Sequence, residues 1–282
     1  MDIKERGYVE TAIVKEKQDL TYLSWSLRRA SSGTAGSFLK ATDDTGPRKI
    51  YYKLSNYDAV KGVVGHECVN ELIVDRLLTI LGVEHLHYRL IHADVEVDDQ
   101  KIETYLCASE DFKNRGEDKM ALDVLYQLER REGESPLEYC VRNGWAAHIY
   151  QMLAVDYLIL NRDRHGANIE VLRDTKRRTM RLAPIFDHGL SLIFNCHTEA
   201  DVQAFDVMQD RPVQCYVGSR SAWENLRLIP PTEMPRLNPL QERHRAALLE
   251  GLDGVLPPLW QDKIWEMVSR RWQCYEDFCH QR

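Results

Sequence analysis

A carboxylate, a carboxamide and a second carboxylate stand out in the stretch 156–189, DYLILNRDRHGANIEVLRDTKRRTMRLAPIFDHG. Asp163 and Asn168 are five positions apart in a polar loop, NRDRHGAN, that follows a very apolar run. Asp187 follows a second apolar run, MRLAPIF, and precedes His188 and Gly189. Oxygen ligands of this kind, at the mouths of apolar elements, suit a magnesium ion and a nucleotide. The same stretch also reads as two polar turns joined by a hairpin, and the remainder of the chain has to decide between the two.

The elements that would position these residues follow from periodicity. Residues 144–160, GWAAHIYQMLAVDYLIL, are apolar nearly all round, which predicts a buried helix ending at Asn161. IEVL (169–172) and TMRLAPI (179–185) predict a hairpin turning at RDTKRR, which would bring Asn168 and Asp187 together. Upstream, 8–14 (YVETAIV) predicts a first strand. In SSGTAGSFLK (31–40), Gly33 and Gly36 stand among Ser32 and Thr34. Such a loop lets backbone N–H groups approach a phosphate, although a plain Ser/Gly turn has the same composition. Ile50, Tyr52 and Leu54 alternate with Tyr51 and Lys53, a period-two strand whose lysine is either solvated or grips phosphates.

Residues 66–81 predict a helix, with Val69, Leu72, Ile73, Leu77, Ile80 and Leu81 at the 3.6 period and Gly82 as its stop. Glu67 and Glu71 are one turn apart on one side, so either could face Lys53, or both could be solvated near the helix N-terminus. Strands are expected at 86–93 and 102–107 with VDDQK as their turn, an inter-lobe hinge in CASEDFKNRGEDKM, and a helix over 119–130. Residues 190–225 lack clear periodicity, as an activation or substrate loop would. The C-terminal part predicts two helices with Trp260, Trp265 and Trp272 in the core. His85, His87 and His92 cluster locally, but with no H-x-x-x-H helix and no cysteine partner they read as solvated rather than zinc-binding.

The 282 residues suffice for one large domain or two lobes. A net charge of −7 and a pI near 5.8 argue against a dedicated nucleic-acid binder. There is no run of eighteen apolar residues and no secretory leader, so no membrane association is expected. Seven scattered cysteines without C-x-x-C fit a reduced, cytoplasmic protein.

NRDRHGAN followed by LAPIFDHG resembles the HipA-like bacterial Ser/Thr kinases, whose catalytic loop reads N-x-D-x-H-x-x-N and whose metal aspartate follows an apolar-Ala-Pro-apolar run. The Asn70–Glu71 pair, in a helix ending LGV, matches as well, and the resemblance covers about 30–195. The same D-R-H-x-x-N core occurs in phosphoinositide lipid kinases, whose metal motif is closer to Asp187-His188-Gly189. The resemblance implies an α+β, bilobal protein-kinase-like fold, with a small β-rich N-lobe (1–110) and a larger helical C-lobe (111–282). It implies ATP and Mg²⁺ as cofactors. Asp163 would orient the acceptor hydroxyl and take its proton, with His165 bracing the loop. Asn168 and Asp187 would be the Mg²⁺ ligands. Lys53 and its helix partner Glu71, together with Ser32, Gly33, Thr34 and Gly36, would hold the phosphates, and Glu110 and Phe112 would meet adenine at the hinge. A protein substrate and an antitoxin partner are implied, with no direct nucleic-acid contact. In this family a serine of the phosphate loop is autophosphorylated; the Gly-Thr-Ala-Gly core here departs from the family's usual one. A lipid or small-molecule kinase with the same site, or a catalytically silent pseudokinase, remains the alternative.

Overall fold

The computed structural model describes residues 12–26 and 38–281. Alternating sequence builds its first layer. β1 (Ile13–Asp19), β2 (Lys40–Asp43) and β3 (Ile50–Lys53) are followed by a small hairpin, β4 (Tyr57–Asp58) and β5 (Gly62–Val63). After the helix α1 (Glu67–Leu81) come β6 (Arg89–Val97) and β7 (Gln100–Glu110). Five of these strands form one sheet in the order β1-β6-β7-β3-β2. It is antiparallel except for β1, which runs parallel to β6. Period-two alternation divides its side chains. Tyr52, Leu54, Ile91, Ala93, Val95, Leu106 and Ala108 close a small core on one face. Leu90 and Cys107 join α1 in the main core on the other.

The second half is mostly helical. β8 (Glu117–Ala121), α2 (Leu122–Glu129), α3 (Pro136–Arg142) and α4 (Ala146–Ile159) lead to β9 (Asp163–Arg164), β10 (Glu170–Asp174) and β11 (Thr179–Leu182). The chain continues through α5 (Glu199–Ala204), β12 (Gln214–Cys215), α6 (Ala222–Arg227), α7 (His244–Leu249) and α8 (Pro258–His280). β10 pairs antiparallel with both β11 and β8, and β9 pairs parallel with β12. α4 packs against α6 and α8, and Trp260, Trp265 and Trp272 are all buried there.

Several expectations shift. The first strand is Ile13–Asp19, and most of 8–14 lies outside the described residues. β6 and β7 are longer than alternation suggested, because Asp98 and Asp99 alone make the turn, both at positive φ (51° and 60°). The polar segment expected as hinge is largely strand at its two ends, so the connection shortens to 111–116. The helix expected from 119 begins at Leu122, since Glu117–Ala121 completes the β10–β11 sheet. Residues 190–225 are mostly irregular but anchored: Ile193, Val202, Val207, Val213 and Val217 are buried in the main core.

Candidate active site

β3 turns Tyr51 and Lys53 away from the small core, so that both line one cleft and Lys53 meets α1 and the segment after β11. Lys53 is buried, and its Nζ lies 2.9 Å from Glu71 Oε1 and 2.7 Å from Asp187 Oδ1. Burial works against the ammonium charge, but the carboxylates of Asp187 and Glu71 outweigh it and hold Lys53 well above the ordinary lysine range. Of the two glutamates on α1, Glu71 is therefore the one that meets Lys53. The Glu67 carboxylate instead accepts the Asn56 N–H at 3.0 Å. Neither is solvated.

Glu71 also accepts the backbone N–H of His188 through Oε2, at 2.7 Å. Asn70, one residue before it, donates to the carbonyls of Gly189 and Ser191 at 3.0 and 3.1 Å. Successive residues of α1 thus clasp the turn that presents Asp187. Asp187 itself sits at φ 60°, left-handed backbone that a non-glycine residue adopts only under constraint, and its N–H donates to the Tyr88 hydroxyl at 3.2 Å. Gly189 is closely hemmed in: a Cβ there would lie 3.1 Å from Lys53 Nζ and 3.1 Å from Glu67 Cβ, so these neighbours would have to give by a few tenths of an ångström. His188 is buried, and desolvation keeps its imidazole neutral, well below its ordinary range.

The loop after α4 is held from beneath by Arg164, which is 1% exposed at its side chain. Its Nε and Nη2 form a two-pronged bridge to Asp156, at 2.9 Å each. Its Nη1 donates to the carbonyls of Asn168 (3.2 Å) and Phe186 (2.7 Å). One guanidinium thereby fixes the end of the NRDRHGAN loop against the residue preceding Asp187. The hairpin adds a second link, from Ala183 N–H to the Glu170 carbonyl at 2.8 Å. Asn168 donates its amide nitrogen to the Asp163 carbonyl at 2.9 Å, and His165 Nε2 lies 3.7 Å from Asp163 Oδ2.

A cleft of about 630 Å³ opens between the five-stranded sheet and the hairpin. Lys53, Glu71, Glu110, Phe112 and Asp187 line it, together with Lys40, Tyr51, Leu86 and Phe186. Phe112 and Phe186 form an aromatic wall with ring centroids 5.6 Å apart, and Lys119 Nζ lies 4.0 Å from the Phe112 centroid. Glu110 pairs with Arg48 at 2.8 Å on the rim. Asp163, His165 and Asn168 do not line the cleft; they form a separate group joined to it through Arg164. Ser32, Gly33, Thr34 and Gly36 lie outside the described residues.

Sequence reasoning missed Arg164, Asp156, Asn161 and Phe186. One signal was present: Asp156 is the one acidic residue in a mostly apolar helix, and a buried carboxylate needs a partner. Asn161 joins that cluster, donating to Asp156 Oδ1 at 2.9 Å.

No family model and no curated relative matches the chain. Solved structures do. The Helicobacter pylori proinflammatory kinase CtkA superposes with a TM-score of 0.62 at 15% identity, over 94% of this chain and 98% of that one. The HipA, HipB and operator DNA complex of Shewanella oneidensis MR-1 matches at a TM-score of 0.48 and 16% identity, covering 91% and 67%. At this identity the first likeness establishes architecture. The chain has a bilobal, α+β protein-kinase-like fold.

Proposed function

We propose that this protein is an ATP- and Mg²⁺-dependent phosphotransferase and, within that class, a HipA-like serine/threonine protein kinase. The observation that carries the reading is the buried Glu71–Lys53–Asp187 chain at the back of a cleft with an aromatic wall. A lysine held charged between two carboxylates is ready to meet phosphate oxygens, and the aromatic wall suits a planar base. On this reading the lobes divide at 110/111, and Glu110 and Phe112, which line the cleft, would meet adenine at the hinge.

A carboxamide oxygen and a carboxylate are oxygen ligands of the kind a magnesium ion takes. Asn168, whose amide nitrogen donates to the Asp163 carbonyl, and Asp187, paired with Lys53, are the residues that would hold it. When bound, Mg²⁺ supplies neutralisation of phosphate charge. The chain's own residues do the remainder. Lys53 holds phosphate oxygens, and Glu71 fixes Lys53. Asp163 sits in the loop braced by Asn161 and Asn168, with its side chain 27% exposed, and accepts the proton of the attacking hydroxyl. The family resemblance adds a protein acceptor and an antitoxin partner to this reading.

The test is transfer from γ-labelled ATP with Mg²⁺, to host-lysate protein in one arm and to lipid vesicles in another. Labelled protein is expected, with the rate reduced at least about 100-fold in Asp163→Ala. Transfer by that variant at the wild-type rate would sink the assignment of Asp163. Label in lipid alone would select the lipid-kinase reading. Metal-independent ATP binding without transfer would mark a silent binding module.

A further inference from the structure

The histidines set aside as solvated do not all behave so. His92 stacks on Tyr105 and bonds Glu103 at the sheet surface. His85 and His87 instead converge on one carboxylate. Asp75, buried on α1 one turn beyond Glu71, has Oδ1 2.8 Å from His85 Nε2 and 2.8 Å from His87 Nδ1. The two rings stand edge to face with centroids 4.5 Å apart. The three ligand atoms all lie within 4.8 Å of one another.

The proton inventory at His85 is informative. Its Nδ1 is 2.7 Å from the Val83 carbonyl, which can only accept, so Nδ1 carries a proton. In the neutral ring Nε2 then presents a lone pair, and it does so toward a carboxylate oxygen at 2.8 Å. Nε2 and the Asp75 oxygen thus converge on one point, as two ligand atoms of a bound cation do. A backbone carbonyl fixing Nδ1–H, with Nε2 turned to an acidic neighbour, is the outer support that metal-binding histidines have.

We propose that Asp75, His85 and His87 form a binding site for a divalent transition-metal ion of the zinc class. Two imidazoles and one carboxylate are the ligand types such an ion accepts, with a fourth position open to water. Tetrahedral bonds of about 2.0–2.1 Å place neighbouring ligand atoms about 3.3–3.4 Å apart, so the 2.8 Å contacts need to widen by only about half an ångström. His87, whose side chain is 54% exposed, provides the opening to solvent and the adjustable ligand.

The position gives the ion a consequence. α1 carries Glu71 and Asp75, while the segment bearing His85 pairs with Ile185, where Leu86 N–H meets the Ile185 carbonyl at 2.9 Å. Tyr88, just beyond, receives the Asp187 N–H. A bound ion clamps the helix that holds Lys53 to the segment that supports Asp187.

Titration of the metal-free full chain with Zn²⁺ and with Co²⁺, in excess Mg²⁺ to occupy oxygen-ligand sites, tests this independently of any activity. One ion per chain is expected, with a Co²⁺ spectrum of nitrogen and oxygen ligation lacking a thiolate charge-transfer band, and a rise in thermal midpoint. His87→Ala, at a half-exposed position that folding tolerates, should weaken binding at least about tenfold and abolish that rise. His85→Asn should do the same. Absence of binding overturns the proposal, and so does binding unchanged in His87→Ala or a spectrum showing thiolate ligands. The cluster is then a hydrogen-bonded brace alone.

Discussion

Arg164 joins the two polar groups of the site, and its removal has calculable consequences. Replacing it with methionine leaves the Asp156 carboxylate buried with Asn161 as its one remaining side-chain donor among the contacts described above, and takes a shared donor from the carbonyls of Asn168 and Phe186. Breaking one side of a buried ion pair destabilises by about 3–5 kcal/mol, most of it from the charge left behind. That approaches the whole stability of a marginal domain, about 5–15 kcal/mol. The double variant Asp156→Asn/Arg164→Met carries no stranded charge, so its loss should be smaller than the sum of the singles by at least about 2 kcal/mol. Urea unfolding of the four proteins measures that coupling. Transfer from ATP gives the second readout. The double variant still lacks the guanidinium between Asn168 and Phe186, so it should regain stability while its kcat stays about 10- to 100-fold low. Additive stabilities would refute the charge argument. A double variant with wild-type kcat would refute the claim that Arg164 positions the two segments.

Two further outcomes follow. Gly189→Ala puts a methyl 3.1 Å from Lys53 Nζ and 3.3 Å from Glu71 Oε1, so kcat should fall about tenfold or more while the urea midpoint moves little; an unchanged kcat would show that the turn adjusts freely. Acid should destabilise the fold below pH 6.5: burial lowers His66 and His148 from 6.5 to about 4 and holds His188 well below its ordinary range. These rings are neutral when folded, and the unfolded chain binds more protons between pH 4 and 6.5. The stabilisation is therefore complete above pH 6.5 and lost as pH falls toward 4. At pH 5 the loss is at most about 2 kcal/mol for each of His66 and His148, and less because both are only partly buried. A urea midpoint that holds or rises between pH 7 and pH 5 would contradict this.

The hairpin was legible because its two strands differ sharply from the turn RDTKRR, and antiparallel pairing of Val171 with Leu182 follows from that contrast. The face of Lys53 was legible because β3 alternates strictly. The choice between Glu67 and Glu71 was not. One helical turn apart, both point to the same side, and only the height of Lys53 above α1 separates them. Local pattern also concealed the function of Arg164, since an arginine beside a catalytic-type aspartate reads as a solvated charge until Asp156 is found beneath it. The strand β8 was hidden for a different reason: EDKMA has no apolar alternation, and its pairing with β10 supplies the order that its own sequence lacks. The solvated reading failed for His85, which is buried, though His87 keeps its side chain 54% exposed; their shared partner Asp75 lies ten and twelve residues away on a helix rather than at a recognised motif spacing.

α1 ties the molecule together in a way its apolar periodicity does not suggest. Thirteen of its fifteen residues are buried, five of them polar or charged: Glu67, Asn70, Glu71, Asp75 and Arg76. Together they reach four parts of the chain. Glu67 holds the loop after β3, Asn70 and Glu71 hold the Asp187 turn and Lys53, and Asp75 holds the segment leading into β6. Arg76 donates to the carbonyls of Leu248 and Glu250 at the end of α7. A helix bound only by apolar contacts can slide or rotate at modest cost, since such contacts are non-directional. Here a rotation by one residue, about 100°, would break bonds to all of these places at once and strand buried charges. The Lys53–Glu71 distance is thus set by the whole length of α1, and a ligand or substitution at Asp75, one turn from Glu71, acts on the site through the same rigid element.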